Sequence, residues 1–338
     1  MIPPRIKVKL LPANSETLTE ILLNENILGV AKFSDINDNA GKLSNLTSNK
    51  SFPYVHINMK SFLNETYYEV WTSDQDVSYG EVGDLQYATD GYHFFSAINV
   101  KENNRQLDEI GKTAYDCIFD SVKKYGYTHI SRVWNCVPYI NEDSNGTERY
   151  KLFCYGRASA FPDNHKFYPS ATGIGCFGDT VSIYFISTAE NNNKNIENPN
   201  QTPAYKYPSA YGMKAPSFAR ATYSEYGQNG NILYVSGTAS ILGHETVFKG
   251  DIRKQCETTI ANIETLISRA NLLSYGIDQN YSLHDLDCIK VYIKNEENFP
   301  IVRSICEEAF SSNKSIVYLK ADVCRQDLLV EIEGLVSK

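Results

Sequence analysis

Residues 251–270 read DIRKQCETTIANIETLISRA. The apolar positions Ile252, Cys256, Ile260, Ile263, Ile267 and Ala270 are separated by four, four, three, four and three, so they form one stripe along a helix. Gly250-Asp251 supplies the start signal. Before the helix, Ile232-Leu233-Tyr234-Val235 reads as a buried strand, and after it Cys288-Ile289-Lys290-Val291-Tyr292-Ile293 reads as another. A second helix is predicted from Phe299 to Phe310, with Phe299, Val302, Ile305, Cys306 and Ala309 on one face, and the segments Ile316 to Lys320 and Leu328 to Glu333 read as closing strands. The order β, α, β, α, β, β predicts an α+β unit, a mixed sheet with helices packed on one face.

Outward from this unit, Ile110, Ala114, Ile118 and Val122 stripe another helix, and Ile130 to Val137 is the next strand candidate, so an internal duplication is expected. Between the halves, the Asn191 to Asn193 run and the prolines at 199, 203, 208 and 216 forbid a long helix, and residues 189–216 are read as an ordered, irregular connection. In the first hundred residues, polar runs such as Asn37 to Asn49 separate strand-like pieces such as Tyr67 to Thr72. The division is thus 1–188, 189–216 and 217–338.

The 338 residues exceed one ordinary domain, and 42% hydrophobic with 21% charged residues excludes a disordered chain. A net charge of −8 repels phosphate backbones and anionic lipid, so neither nucleic acid nor a membrane is expected as a partner. The 24 tyrosines outnumber Phe and Trp together, which brings many phenol hydroxyls to buried surface where each needs a partner. The eight cysteines are scattered without C-x-x-C or Cys/His clusters, so no metal site is expected and a reduced, cytoplasmic chain fits best. No stretch is apolar for the length of a membrane span.

Leu329-Val330-Glu331-Ile332-Glu333 alternates, so both glutamates face one side of a strand. On an outer face they would be solvated, the commoner case; lining a cleft, repulsion and desolvation would make one of them a general acid. The run Tyr150 to Arg157 mixes cations and phenols with a strand-like apolar pattern, and Gly156 is expected to let a ligand approach the backbone. Arg157 and Arg220 can each hold a carboxylate bidentately or serve as ordinary surface or structural cations. Gly173-Ile174-Gly175-Cys176-Phe177-Gly178 is followed by a strand pattern instead of a helix, so it is read as a turn and not a dinucleotide site. None of the histidines, His129, His165, His244 and His284 among them, sits beside a nucleophile in a recognised local motif.

The C-terminal unit resembles the RidA/YjgF fold through Leu233-Tyr234-Val235-Ser236-Gly237, the helix after Gly250, Cys288 to Ile293 and Leu329 to Gly334. A wider set resembles the chorismatase family: Arg132-Val133-Trp134-Asn135, Phe153-Cys154-Tyr155-Gly156-Arg157, Tyr168 to Gly175, Glu197-Asn198-Pro199, Pro203 to Pro208 and Phe218-Ala219-Arg220-Ala221-Thr222. The resemblance runs from about Glu69 to Gly334, and the first sixty residues match little.

It implies two RidA/YjgF-like (chorismate-mutase-like) units and a cofactor-free enzyme that releases pyruvate from chorismate. Carried over residue by residue, the family's acid falls on Glu331, and its substrate-holding residues fall on Tyr150, Arg157, Tyr207 and Arg220. Gly237 and Cys324 match the members that form 3-hydroxybenzoate; Cys324 is a candidate for either a chemical or a steric part, and Gly237 is expected to leave room for the substrate ring. Replacing both by Ala is then expected to shift product toward the dihydroxycyclohexadiene acid with pyruvate still released. Hydrolysis to that acid and formation of 4-hydroxybenzoate are the family's other outcomes. Two further readings stand beside these, a RidA-type imine deaminase and a non-catalytic metabolite-binding module; the first places an arginine where this chain has Lys314-Ser315-Ile316-Val317. RidA-like units usually form trimers, and a monomer, dimer or trimer is left open.

Overall fold

The structure, a computed structural model, describes residues 3–35, 51–162, 168–311 and 315–338. The polar run from 37 to 49, His165 and Lys314 lie outside the described residues.

The chain first makes β1 (Ile6–Pro12), α1 (Glu16–Asn24), β2 (Asn26–Ser34), β3 (Tyr54–Asn58) and β4 (Tyr67–Ser73), a sheet ordered β1-β4-β2-β3. Next come β5 (Ser78–Val82), β6 (Leu85–Thr89), β7 (His93–Lys101), α2 (Leu107–Tyr125), β8 (His129–Pro138), the ribbon β9 (Asp143–Ser144) and β10 (Thr147–Glu148), α3 (Arg149–Ala160), β11 (Ser170–Cys176) and β12 (Thr180–Thr188). Their main sheet is ordered β11-β8-β12-β7-β6-β5. The last part contains β13 (Asn193–Ile196), β14 (Ala221–Glu225), β15 (Asn231–Ala239), the ribbon β16 (Ile241–Leu242) and β17 (Glu245–Thr246), α4 (Ile252–Ile267), α5 (Arg269–Leu273), β18 (Asp287–Ile293), α6 (Phe299–Phe310), β19 (Ile316–Lys320) and β20 (Val330–Ser337). This sheet is ordered β13-β14-β15-β20-β18-β19.

Numbered by its own strands, each six-stranded sheet runs first, second, third, sixth, fourth, fifth, with the fourth and fifth parallel. The first sheet, β1-β4-β2-β3, matches the third, sixth, fourth and fifth places of that order, and its parallel pair is β2 with β3. The expected duplication is therefore accompanied by a further repeat, the shorter first sheet, within residues 1–188. Residues 189–216 are not wholly irregular either, since β13 pairs along β14 and starts the third sheet.

The helices pack on one face of each sheet, and the opposite faces meet in a shared core containing Phe33, Trp71, Phe95, Trp134, Tyr184, Tyr234 and Tyr292. Asp251 caps α4 by accepting the Lys254 N–H at 3.0 Å. The predicted single stripe breaks at Ser268, whose hydroxyl accepts the Asn271 N–H, so Ala270 belongs to α5. Tyr150 to Arg157 is helical instead of a strand. There Gly156 serves helix packing and not ligand approach, because a Cβ at that position would run into the Asp108 carbonyl of α2. Gly173 and Gly175 lie within β11, and only the end of that glycine-rich run turns. A Cβ on Gly175 would stand 2.8 Å from the Asp322 carbonyl oxygen. Among the described residues no helix is long and apolar enough to cross a membrane.

At the centre, a buried ion cluster ties the three sheets together. Lys290 on β18 reaches Glu69 on β4 at 2.5 Å and Glu333 on β20 at 2.7 Å, and Arg132 on β8 reaches Glu333 at 2.5 Å. Two cations thus face two carboxylates, which satisfies the requirement that charges removed from water be paired.

Candidate active site

The face of the third sheet opposite its helices packs in the shared core, so the face of β20 that carries Glu331 and Glu333 is not an outer one. Glu331 is 3% and Glu333 1% exposed, which overturns the expectation of solvated carboxylates. Strand alternation sends both toward the second sheet, but their surroundings differ. Glu333 accepts from Lys290, Tyr292 and Trp134 on Oε1 and from Arg132 and Thr172 on Oε2. Burial alone would raise its pKa, but Lys290 and Arg132 outweigh that and hold it below the ordinary carboxylate value. Among the described residues no hydrogen-bond donor reaches the Glu331 carboxyl, and burial, reinforced by the charge on Glu333, pushes it up to about 8.

Glu331 stands in the wall of a cavity of about 390 Å³, within the usual range for small-molecule sites. The second sheet's α3 contributes Tyr150 and Lys151; the segment before β14 contributes Tyr207, Tyr211, Phe218 and Arg220; β15 contributes Gly237 and Ala239; and the loop between β19 and β20 contributes Cys324 and Arg325. Arg220 is fixed from behind, donating to the Tyr207 hydroxyl at 2.6 Å and the Thr202 carbonyl at 3.2 Å, with its guanidinium 5.2 Å from the Phe218 ring centre. Its Nε is buried without a partner among the described residues. Arg325 lies 4.1 Å from the Tyr211 ring centre and 5.2 Å from that of Tyr207, and it donates to the His244 carbonyl at 2.9 Å. The cavity is also lined by Glu148, Asp327 and Lys151, and with two anchored guanidiniums, phenols and the raised carboxyl of Glu331 it can hold a small dicarboxylate and protonate it.

The chain is 42% identical over 322 residues to "3-hydroxybenzoate synthase" of Streptomyces hygroscopicus, covering 93% of this chain and 92% of that protein. It is 38% identical to a "Chorismatase" of Streptomyces rapamycinicus, covering 81% and 83%. A solved chorismatase crystal structure superposes with a TM-score of 0.88 at 31% identity, covering 99% of this chain and all of that one. The family model "Chorismatase FkbO/Hyg5-like, N-terminal" matches residues 69–187, and "Endoribonuclease L-PSP" matches 213–338. The chain belongs to the chorismatase family. Because the first relative aligns over 93% of the chain, the chorismatase likeness reaches into the first sixty residues, contrary to the expectation that they match little.

Within this chorismatase cavity, six of the seven residues carried over from sequence come together: Tyr150, Tyr207, Arg220, Gly237, Cys324 and Glu331. Arg157 does not line it. The reason is the helix: Arg157 follows Tyr150 by seven residues, which is about two turns or 10 Å further along the axis. Its guanidinium donates to the Ser217 carbonyl at 2.9 Å and lies 5.0 Å from the Tyr115 ring centre, one layer behind the wall. Arg325 and Lys151 are not singled out by sequence. Each is adjacent in the chain to a residue that is, Cys324 and Tyr150, and that adjacency is the available signal.

Gly237 does not leave room for substrate in the expected way. The space a Cβ would take there is filled by Oε1 of Glu331, with Thr172 Oγ1 at 3.2 Å on the other side. Burial pushes up the Cys324 thiol and the Tyr150 phenol, so both meet a ligand as neutral groups. Glu197, in the Glu197-Asn198-Pro199 run, has both carboxylate oxygens buried without a partner among the described residues, and burial pushes it to about 7 against the opposing charges of Arg220 and Lys206.

Proposed function

We propose that this protein releases pyruvate from chorismate and forms 3-hydroxybenzoate, with Glu331 as the acid. The observation that carries the reading is a carboxyl kept neutral near pH 7 in the wall of a cavity that also holds Arg220 and Arg325. A relative 42% identical over nearly the whole chain is named for that product. In this reading the two carboxylates of chorismate are held by Arg220 and Arg325 with Tyr207 and Tyr150 beside them, and Arg157 supports the wall. Orientation by fixed guanidiniums brings the enolpyruvyl methylene to Glu331 without a further entropic cost at reaction.

Glu331 gives its proton to the methylene carbon, and the ether carbon becomes oxocarbenium-like. The ring hydroxyl then displaces the activated ether at the neighbouring ring carbon. The ring–oxygen bond breaks, pyruvate leaves with that oxygen, and the hydroxyl proton is released. The epoxide-like intermediate opens and loses a ring proton as it aromatises. One proton returns to Glu331 and no external redox partner or water is consumed. Cys324, neutral and weakly polar, occupies ground that a water would otherwise take.

The reading includes a cytoplasmic location, supported by eight cysteines that are all free, and a monomer as the working unit, supported by three sheets sharing one core within a single chain. Incubation of purified protein with chorismate, with pyruvate measured by a coupled assay and aromatic products by chromatography, tests it. Pyruvate and 3-hydroxybenzoate in equal amounts are expected; ammonia release from an imine substrate without pyruvate from chorismate would replace it with the deaminase reading.

A further inference from the structure

The runs Arg132-Val133-Trp134-Asn135 and Tyr168 to Gly175 take no direct part in the reaction above, yet three of their side chains end at Glu333. Arg132, Trp134 and Thr172 all donate to its carboxylate, and Lys290 and Tyr292 complete five donors. With every lone-pair direction engaged, Glu333 is a fixed anion. Glu331 is two residues away on the same side of β20, roughly 7 Å along the strand.

A second connection is mechanical. Thr172 Oγ1 donates to Glu333 and also accepts the Gly237 N–H at 3.0 Å and an Arg132 N–H at 2.5 Å. Gly237 is the backbone against which Glu331 Oε1 rests. A chain of contacts therefore runs from Glu333 through Thr172 and Gly237 to the Glu331 carboxyl.

We infer that Glu333 is a positioning residue for Glu331: its clamped carboxylate sets the charge that Glu331 faces, and its tie through Thr172 fixes the strand on which Glu331 rests. The inference rests on the proposed reaction. The cluster without Glu331 is balanced, Lys290 and Arg132 against Glu69 and Glu333. Ionising Glu331 would add an unbalanced negative charge beside Glu333 in a buried site. The groups facing Glu331 are Glu333 on its own strand, Arg132 on β8, Arg220 before β14, Tyr150 on α3, and Cys324 and Arg325 on the β19–β20 loop. The three arginines are held by other partners, Arg132 by Glu333 and Thr172, Arg220 by Thr202 and Tyr207, and Arg325 by His244 and Thr246. None of them forms an ion pair with Glu331 among the described residues.

The test is the pH dependence of pyruvate release in two variants. The double variant Glu333→Gln, Lys290→Met keeps the cluster neutral, leaving Glu69 with Arg132. Its alkaline limb should move at least about one pH unit below the wild-type limb at about 8, so that the rate at pH 8 falls at least about fivefold and recovers in acid. Thr172→Val leaves the charge on Glu333 but cuts the tie, and should lower kcat about tenfold with KM unchanged and the limb in place. An unmoved limb in the folded double variant overturns the electrostatic part, and an unchanged kcat in Thr172→Val overturns the mechanical part. If wild-type protein releases no pyruvate, the proposed reaction fails separately. The influence of Glu333 is then read from unfolding, by comparing how Glu331→Gln changes the pH dependence of stability with and without Glu333→Gln, Lys290→Met; equal changes would overturn the inference. If the double variant does not fold, Thr172→Val alone decides: a tenfold lower kcat supports the inference and an unchanged kcat overturns it.

Discussion

Oε1 of Glu331 occupies the volume that a side chain on Gly237 would need. Gly237 lies within the register shift between Val235 and Thr238 on β15, and Glu331 of β20 pairs with Ala239 two residues further along. Any substitution at 237 therefore acts on the acid before it acts on the substrate. Gly237→Ala should lower pyruvate release, whatever it does to product distribution, because the carboxyl must leave its present position. Cys324→Ala removes a thiol from the cavity wall without touching Glu331 and should shift products toward the dihydroxy acid at near-normal pyruvate release. Chromatography of products together with pyruvate yield separates the two effects; full pyruvate yield from Gly237→Ala would mean that Glu331 relocates without loss.

Glu331→Gln keeps the shape of the side chain and loses its transferable proton. Pyruvate release should fall by roughly 10²–10⁴-fold, the range for a positioned general acid. Circular dichroism and a thermal melt of the same preparation would show that the loss is chemical.

The rate should depend on pH in a defined sense. The acid must be protonated, and Glu331 is raised from an ordinary 4.5 to about 8, so kcat/KM should be level below that value and fall above it. Two bound carboxylates disfavour ionisation further, so the limb in kcat should lie at higher pH than the limb in kcat/KM. A limb near 4.5 would remove Glu331 as the acid.

The same raised group has a consequence for stability. Between about 4.5 and 8 the native state binds a proton that the unfolded state has lost, so this contribution is complete below 4.5 and disappears as pH rises through 8. Urea unfolding across that window should show wild type losing stability relative to Glu331→Gln by a few kcal/mol. Parallel curves would contradict the burial of a titrating acid.

Arg220→Ala and Arg325→Ala should each weaken chorismate binding by about 2 to 5 kcal/mol, and lysine should rescue poorly because it cannot form the planar fork. Arg157→Ala should instead lower the melting temperature and leave binding much less affected, since its guanidinium is engaged with Ser217 and Tyr115. Titration calorimetry with a non-reacting chorismate analogue, set beside thermal melts, would sort the three arginines; weakened binding confined to Arg157→Ala would return it to the cavity.

The third sheet is legible in the sequence because its helices carry solvent on one side. Ile252 to Ile267 can show a stripe, and Asp251 can act as a visible cap. The first sheet offers no such contrast. All seven residues of β4 and eight of the nine in β2 are buried, so neither strand alternates. Helix α3 resembles a strand in sequence for a related reason. It is pressed against α2 through Gly156 and Gly111 while its Tyr150 faces the cavity, so its apolar residues are not confined to one stripe. In the site, Glu331 is reachable from strand alternation and family likeness, but the depth of its burial depends on the second sheet and the loops that cover that face of β20. Arg325 sits in a loop, where no periodicity points a side chain anywhere.

The cluster of Glu69, Arg132, Lys290 and Glu333 also bears on how the chain unfolds. Lys290 is the cation paired with Glu69, and it comes from a different sheet; Glu333 draws three of its five donors from the second sheet. A form with only two sheets docked would leave the cluster incomplete: Lys290 and Arg132 would face Glu333 alone without the first sheet, Glu69 and Glu333 would face Lys290 alone without the second, and Glu69 and Arg132 would both lose their partners without the third. The last sheet to dock therefore completes a circuit that no pair of sheets can close, and 338 residues in three repeats should melt in a single cooperative transition.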